Sequence, residues 1–351
     1  MKAGWRGLLG VAVSVALMWW ALRGESVGEM WDVLRRSSLP MFALSAAVAT
    51  ISFPMRAWRW RYILESGAGP LPFAPLWRAT AIGMMVNNVA LARAGELARA
   101  WVLSREVERV RFAASLASLV VDRVFDTVVV LLLLMVVVSL PGFPAGVAVA
   151  GRPIDGILTG VATVALAAVA TLVGMSLSHR GLVRVWERTL GTRAPRLMER
   201  GRSFLVSFAS GLGVLRDPRK SALVFAWAVA QWLVNGASFW IAFRAVGLDA
   251  PFTTALFLQS LLAFAVAIPS APGFFGPFEL ATKVALGVYA IDDTFAVSYA
   301  LGYHILSFIP ITLIGFWYLW RMGLHLGDFE GSGGRVQGAG NGTPGNGGFG
   351  P

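Results

Sequence analysis

The 351-residue chain has no cysteine, which excludes thiol nucleophiles, thiolate metal sites, disulfide staples and redox switches. It is also poor in charge. Asp, Glu, Lys and Arg make up 14% of the residues, against roughly 25% in typical globular domains. Histidine occurs three times, never in an H-E-x-x-H or paired arrangement. No Gly-rich phosphate loop and no Gly-x-Ser-x-Gly elbow is found. No metal and no cofactor is therefore expected, and none of the common catalytic motifs is available.

Apolar residues are abundant, at 56%. Length alone would suggest two soluble domains, but this composition is that of a membrane protein. The net charge of +11 would suggest nucleic acid in a soluble protein. In a polytopic membrane protein such an excess reports orientation and contact with anionic headgroups. Membrane phospholipids are thus the expected partners, and nucleic acid is not.

Six apolar runs approach the roughly 20 residues that a spanning helix needs: Leu8 to Leu22, Leu39 to Phe53, Ala113 to Leu140, Ile157 to Leu177, Ala222 to Phe243 and Phe295 to Trp320. The first could pass for a signal peptide. Its end, Trp19-Trp20-Ala21-Leu22-Arg23, lacks a small-x-small cleavage pattern and carries interfacial tryptophans, so a retained helix is expected.

Two further stretches break the template. Leu76 to Ala92 is short, holds Asn87-Asn88, and runs into Arg93-Ala94-Gly95-Glu96. Phe252 to Tyr289 is interrupted by Pro269-Ser270-Ala271-Pro272-Gly273-Phe274-Phe275-Gly276-Pro277, through which no helix can run. Freed backbone groups at membrane depth are tolerated only where protein or a wet cavity satisfies them. If both stretches are re-entrant hairpins entering from opposite faces, 23 Lys and Arg are cytoplasmic and five face outward, as the positive-inside rule requires. A topology with eight crossings remains open.

The expected fold class is an all-α polytopic membrane protein with six full spans, two re-entrant hairpins and a suggested inverted repeat. Residues 1–322 would form the membrane domain and 323–351 a disordered glycine-rich tail. Within the domain, 179–220 is a basic cytoplasmic loop, read either as amphipathic helices at the headgroups or as a solvated loop. An inner-membrane location with both termini cytoplasmic follows. Homo-oligomerisation and an envelope-complex partner stay open.

Ionisable residues inside a bilayer are costly, so their positions carry the functional signal. In the first cluster Glu96 and Arg99 are three apart on one helical face, and Gly95 permits a close backbone approach. The amides of a half-helix opening at Gly95, together with Arg93, would suit a phosphate. The alternative is that Arg93 and Arg99 snorkel to the cytoplasmic headgroups. Asp122 and Asp126 share a face, and Arg123 can reach Glu96 or Asp126, in a functional or a purely structural network. In the second break Pro277 suits a first helical turn, Glu279 complements the helix dipole, and Lys283 would pair with Glu279 one turn on. Glu-Leu-Ala followed by a cation appears after both breaks, which suggests broken helices of an inverted-repeat transporter.

Other residues read as ordinary. Arg56, Arg59 and Arg61, alternating with Trp58, Trp60 and Tyr62, are expected as interfacial anchors. Asp292-Asp293 reads as a helix start, His304 as a hydrogen-bonded core residue, and Gly156 with Gly160 as a close-packing pair.

Arg56-x-x-Arg59-Trp60-Arg61, Asn87-Asn88 leading to Ala92-Arg93-Ala94-Gly95-Glu96-Leu97-x-Arg99, Asp122-Arg123-x-x-Asp126 and Pro269-Ser270-x-Pro272-Gly273-x-x-Gly276-x-x-Glu279 together resemble the flippase-like family. That family includes the transmembrane domain of lysylphosphatidylglycerol synthases. The resemblance covers about residues 5 to 322. Leu91 stands where the family often has proline, Phe274 where a second glycine is usual, and Asp122 in place of glutamate.

The resemblance implies an integral membrane translocase of anionic or aminoacylated phospholipid headgroups. Substrate-binding residues would be Asn87, Asn88, Arg93, Gly95, Glu96, Arg99, Asp122, Arg123, Asp126, Pro272, Gly273, Gly276, Glu279 and Lys283. Transport would be passive or driven by an ion or proton gradient. No room remains for the soluble transferase domain of the synthases, so a non-enzyme is expected. The alternatives are a membrane-embedded lipid-modifying transferase and a non-transporting subunit of an envelope complex.

Overall fold

The computed structural model describes residues 4–90, 94–144, 213–266, 268 and 270–326, with scattered residues between 146 and 167. Ten α-helices have defined bounds there: α1 Gly4–Leu22, α2 Val27–Arg36, α3 Leu39–Ala68, α4 Phe73–Val89, α5 Gly95–Glu106, α6 Phe112–Ser139, α7 Pro218–Ala245, α8 Phe252–Ala265, α9 Pro277–Gly287 and α10 Asp293–Arg321. The only extended pairing among the described residues is the two-residue antiparallel match of Ala148–Val149 with Arg152–Pro153. Most of the expected span 157–177, most of the basic segment 179–220 and the tail from 327 fall outside the described residues.

Local chemistry sets the helix starts. Ser38 accepts from the Met41 amide to begin α3, Asp217 accepts from Arg219 and Lys220 ahead of Pro218, and Asp292 accepts from Phe295 to begin α10. Gly69, at φ 71°, ends α3. Helices α3, α7 and α10 have 30, 28 and 29 residues and are long and apolar enough to cross a membrane. Helix α6 is 28 residues long, but Asp122, Arg123 and Asp126 interrupt its apolar character.

Polarity runs opposite to that of a water-soluble fold. Leu313 on α10 is 62% exposed and Ile51 on α3 is 53% exposed, whereas Arg59 is fully buried. Only a solvent that accepts apolar side chains and rejects backbone and charge favours that arrangement, so the chain is a membrane protein.

Helix α3 packs along α7 and against α4, α6 and α10, while α10 packs against α4, α9, α3 and α2. Between these posts lie two helix–break–helix units. Helices α4 and α5 pack on each other and are held by α3, α6 and α10; α8 and α9 pack on each other and are held by α6, α7, α10 and α1. The short turn Pro272–Phe274 in the second break packs on α4 of the first unit, so the two interrupted regions meet.

Candidate functional site

Three helices bring ionisable side chains to one buried place, and a fourth adds an indole. Arg56 and Arg59, one turn apart on α3, face Asp122 and Asp126, one turn apart on α6. Arg59 donates from Nε to Asp122 Oδ1 at 2.7 Å and from Nη1 to Asp126 Oδ1 at 2.8 Å. Arg56 Nη2 lies 3.2 Å from Asp126 Oδ2, and its Nη1 lies 3.8 Å from Asp122 Oδ2. Trp232 of α7 donates its indole N–H to Asp126 Oδ1 at 2.9 Å.

Helix α5 adds Glu96 and Arg99. Arg123 pairs with Glu96 and also lies 3.7 Å from Asp126 Oδ2, so it takes both partners open to it. Arg99 Nη1 is 3.5 Å from Asp122 Oδ2 and 3.9 Å from Glu96 Oε2. Among the described residues the cluster holds four guanidinium groups, on Arg56, Arg59, Arg99 and Arg123, and three carboxylates, on Glu96, Asp122 and Asp126. One positive charge is left over.

Arg99 is where that excess is exposed chemically. Its side chain is fully buried, its guanidinium carbon lies 4.1 Å over the Trp60 ring, and Nε, Nη1 and Nη2 all lack a hydrogen-bond partner. Trp60 is itself fixed by donating to Ser118 Oγ at 2.7 Å. A buried guanidinium has five N–H donors, and leaving them unmet is costly unless an acceptor arrives. The arrangement can therefore take one anion.

The first break is tighter than its sequence suggests. Asn87 Oδ1 accepts from the Gly95 amide at 3.0 Å, and Asn88 Nδ2 donates to Thr312 Oγ1 of α10 at 2.8 Å. A Cβ on Gly95 would sit 2.1 Å from the Gly83 carbonyl oxygen and 2.4 Å from the Asn87 side chain, so only glycine fits. The expectation of free half-helix amides is corrected at the first one: because the break is short, α4 stays within side-chain reach and Asn87 caps α5. Arg93 lies outside the described residues.

In the second break Gly273 and Phe274 both adopt left-handed backbone, at φ 72° and 62°. Phe274 is the position where the resembling family usually has glycine, the residue this conformation favours. Gly276, at φ 95°, presses on α1, where an added Cβ would meet Ser14 O at 2.4 Å. Pro277 opens α9 as expected. Glu279 is fully buried; its Oε2 accepts from the Gly276 amide at 2.7 Å, and its Oε1 lies 2.7 Å from His304 Nδ1. His304 is thus the hydrogen-bonded core residue expected, stacked on Phe275 at 4.5 Å and Phe278 at 4.1 Å. Pro272, Gly273 and Gly276 shape this break.

The expected Glu279–Lys283 pair does not form. Lys283 pairs with Glu25, which follows α1, and lies 3.3 Å from Asp293 Oδ2. Glu279 turns back to cap its own helix, and Lys283, one turn on, meets the end of α1. Helix α10 orders these features: His304 is about 17 Å along it from Asp293, and Gly315, against Ala81 and Met85 of α4, about 33 Å along, at ~1.5 Å per residue.

Arg56 and Arg59 also depart from expectation, being buried ion-pair partners rather than interfacial anchors. The overlooked signal was their one-turn spacing, which matches the one-turn spacing of Asp122 and Asp126. Arg61, part-exposed, bonds Glu65 and covers Trp58. Trp60, Trp232 and Glu25 carried no sequence signal of their roles. Gly156 and Gly160 are helical and exposed, and an added Cβ would meet nothing described within 4 Å of either.

Residues 7–315 match the family described as the lysylphosphatidylglycerol synthase TM region. Glycosyltransferase AglD of Haloferax volcanii is 25% identical over 308 residues, 81% of this chain and 48% of that protein. A UPF0104 membrane protein of Methanothermobacter thermautotrophicus is 24% identical over 302 residues, 82% of this chain and 85% of the other. The chain spans about half the length of the first of these relatives. No solved structure matches it. The expectation of a non-enzyme is overturned here, because a relative aligned over most of the chain is named a glycosyltransferase and the matching family is named for a synthase. With most of α1, all of α2 to α9 and most of α10 inside the matched segment, the chain belongs to the lysylphosphatidylglycerol synthase TM region family of membrane proteins.

Proposed function

We propose that the protein binds an anionic lipid or lipid-linked headgroup inside the membrane and carries it between leaflets. The observation behind this reading is Arg99: fully buried, without a hydrogen bond, in a cluster with one positive charge in excess. A phosphodiester carries one negative charge and several acceptor oxygens, the complement of that excess. Glu96, Asp122 and Asp126 hold the other arginines in place, so the binding energy is concentrated on the incoming anion.

In this reading the two broken units are re-entrant hairpins from opposite faces, and the apolar outer surface lets acyl chains stay in the bilayer while the headgroup passes inside. The basic segment 179–220 and both termini lie on the cytoplasmic side, against anionic headgroups. Moving a bare charge through hydrocarbon costs about 3 kcal/mol on insertion scales and more in isolation. A guanidinium already placed in the bundle offsets that cost.

A second reading is group transfer on a lipid-linked substrate, favoured by the name of the Haloferax volcanii relative. The same anion site would then present the lipid phosphate to a catalytic group.

Purified protein in liposomes with headgroup-labelled phosphatidylglycerol, lysyl-phosphatidylglycerol or a polyprenyl-phosphate sugar tests both. Translocation is expected for at least one lipid and is lost in Arg99→Met. Label that stays in its leaflet across the panel, while sugar is transferred from added donor, would replace the first reading with the second.

A further inference from the structure

We propose that Glu279 and His304 form a proton-binding site that controls the second break, so that a proton occupies the bundle in alternation with its opening. This deepens the translocation reading by naming the coupled ion, but the site itself can be tested without cargo. A carboxylate and an imidazole lie 2.7 Å apart, Glu279 fully buried and His304 nearly so, between Phe275 and Phe278. With one proton on the pair, on either side, the pocket is electrically neutral. Without it, a net negative charge sits among aromatic rings, met by the Gly276 amide and by the one N–H that a neutral imidazole keeps. The two residues therefore hold that proton as a unit. It enters from water and returns to water.

The pair is wired to the break. Glu279 Oε2 holds the Gly276 amide, Gly276 presses on α1, and the Ala271 amide donates to Ser14 Oγ of α1 at 2.7 Å. The Glu279–His304 contact also ties the start of α9 to α10, so losing it loosens the half-helix at the break while Lys283 still holds its far end to Glu25 and Asp293. A merely structural cap needs only the carboxylate; the imidazole adds a second group able to take up the proton.

Surrounding groups are committed elsewhere. On α9 itself, Lys283 is held by Glu25 and Asp293. On α10, Tyr303 shares a hydrogen bond with Ser238, and Tyr299 donates to Phe239 O. On α4, Arg78 pairs with Glu106; on α3, Arg56 and Arg59 are in the arginine cluster and Arg61 bonds Glu65; on α7, Arg244 pairs with Asp249. Arg219 and Lys220 stand at the start of α7, Glu29, Asp32, Arg35 and Arg36 on α2 beyond the Asp293 end, and Arg321 at the far end of α10. Residues 9–22 of α1 and the whole of α8 contain no titratable side chain.

The absence of cysteine gives a clean probe. Ser270 lies in the break with its Oγ buried and without a hydrogen-bond partner, so Ser270→Cys places one thiol where it reacts only when the break opens. Val27→Cys, at an exposed position, corrects for thiol ionisation. In full-length protein in zwitterionic nanodiscs, the maleimide rate ratio of the two thiols should change about tenfold between roughly pH 5 and pH 8, within the usual range of site coupling. Glu279→Gln keeps the size and the Gly276 acceptor and should flatten the profile, as should His304→Gln; circular dichroism checks that both variants fold. A flat parental profile, or an unchanged one in folded Glu279→Gln, overturns the proposal. The expected profile with labelled lipids that never cross supports the proton site and removes the translocation reading alone.

Discussion

Arg99 lies with its guanidinium carbon 4.1 Å above the indole of Trp60, and the residue beside Trp60 on α3, Arg59, is gripped by Asp122 and Asp126. One stretch of helix thus offers an arginine hydrogen-bonded to two carboxylates and an aromatic shelf for one with no hydrogen bond. The two arginines are equally buried but chemically opposite. Replacing Arg59 by Met leaves two buried carboxylates short of their main partner, and stability should fall by about 3–5 kcal/mol. Replacing Arg99 by Met exchanges an unbonded guanidinium for an apolar chain on the same shelf; thermal stability should be unchanged and anionic-lipid binding lost. Thermal unfolding in detergent, with a lipid-binding assay beside it, separates the two outcomes.

Gly95→Ala puts a methyl group 2.1 Å from the Gly83 carbonyl and should cost about 3 kcal/mol as the two half-helices are forced apart. Gly142→Ala, with open space around the added carbon, is the control and should leave the melting temperature unmoved.

Lys283 and Glu25 are coupled across α9 and the end of α1. Lys283→Met strands a buried carboxylate and should destabilise by about 3 kcal/mol. Adding Glu25→Gln should recover a large part of that loss, giving a coupling energy of roughly 1–3 kcal/mol in a double-mutant cycle. Strictly additive losses would show that the pair does not interact.

Trp232→Phe removes only the indole donor to Asp126. A hydrogen bond to a charged group contributes about 1.5–3 kcal/mol, so the variant should melt measurably lower while keeping its helix content. An unchanged melting point would mean that water replaces the indole at Asp126.

Much of the fold was legible in the chain. The runs from Leu39, Ala222 and Phe295 became α3, α7 and α10, because transfer into hydrocarbon depends on composition along a segment. Both interruptions became breaks between half-helices, since proline and glycine act on backbone geometry locally. Pro277 and Glu279 open α9, and His304 is bonded in the core, as their local settings implied.

The errors share one cause. Arg56 and Arg59 looked like interfacial anchors beside Trp58 and Trp60, yet their acids stand 63 to 67 residues further on in α6 for Arg59, a distance that no local pattern records. Lys283 had Glu279 one turn away but chose Glu25, 258 residues distant in sequence, since α1 lies against α9. Asn87 reached Gly95 because the two half-helices fold back on each other.

By itself the chain determined that it enters a membrane, where it breaks and that the segments after the breaks and α6 carry buried charge. These are sums over neighbouring residues: hydrophobic transfer, backbone freedom and the cost of burying an ion. Only the tertiary structure decided which cation meets which anion, and that the Arg99 guanidinium is left without a hydrogen bond. Such choices follow from distances between helices far apart in sequence, and packing alone sets those distances.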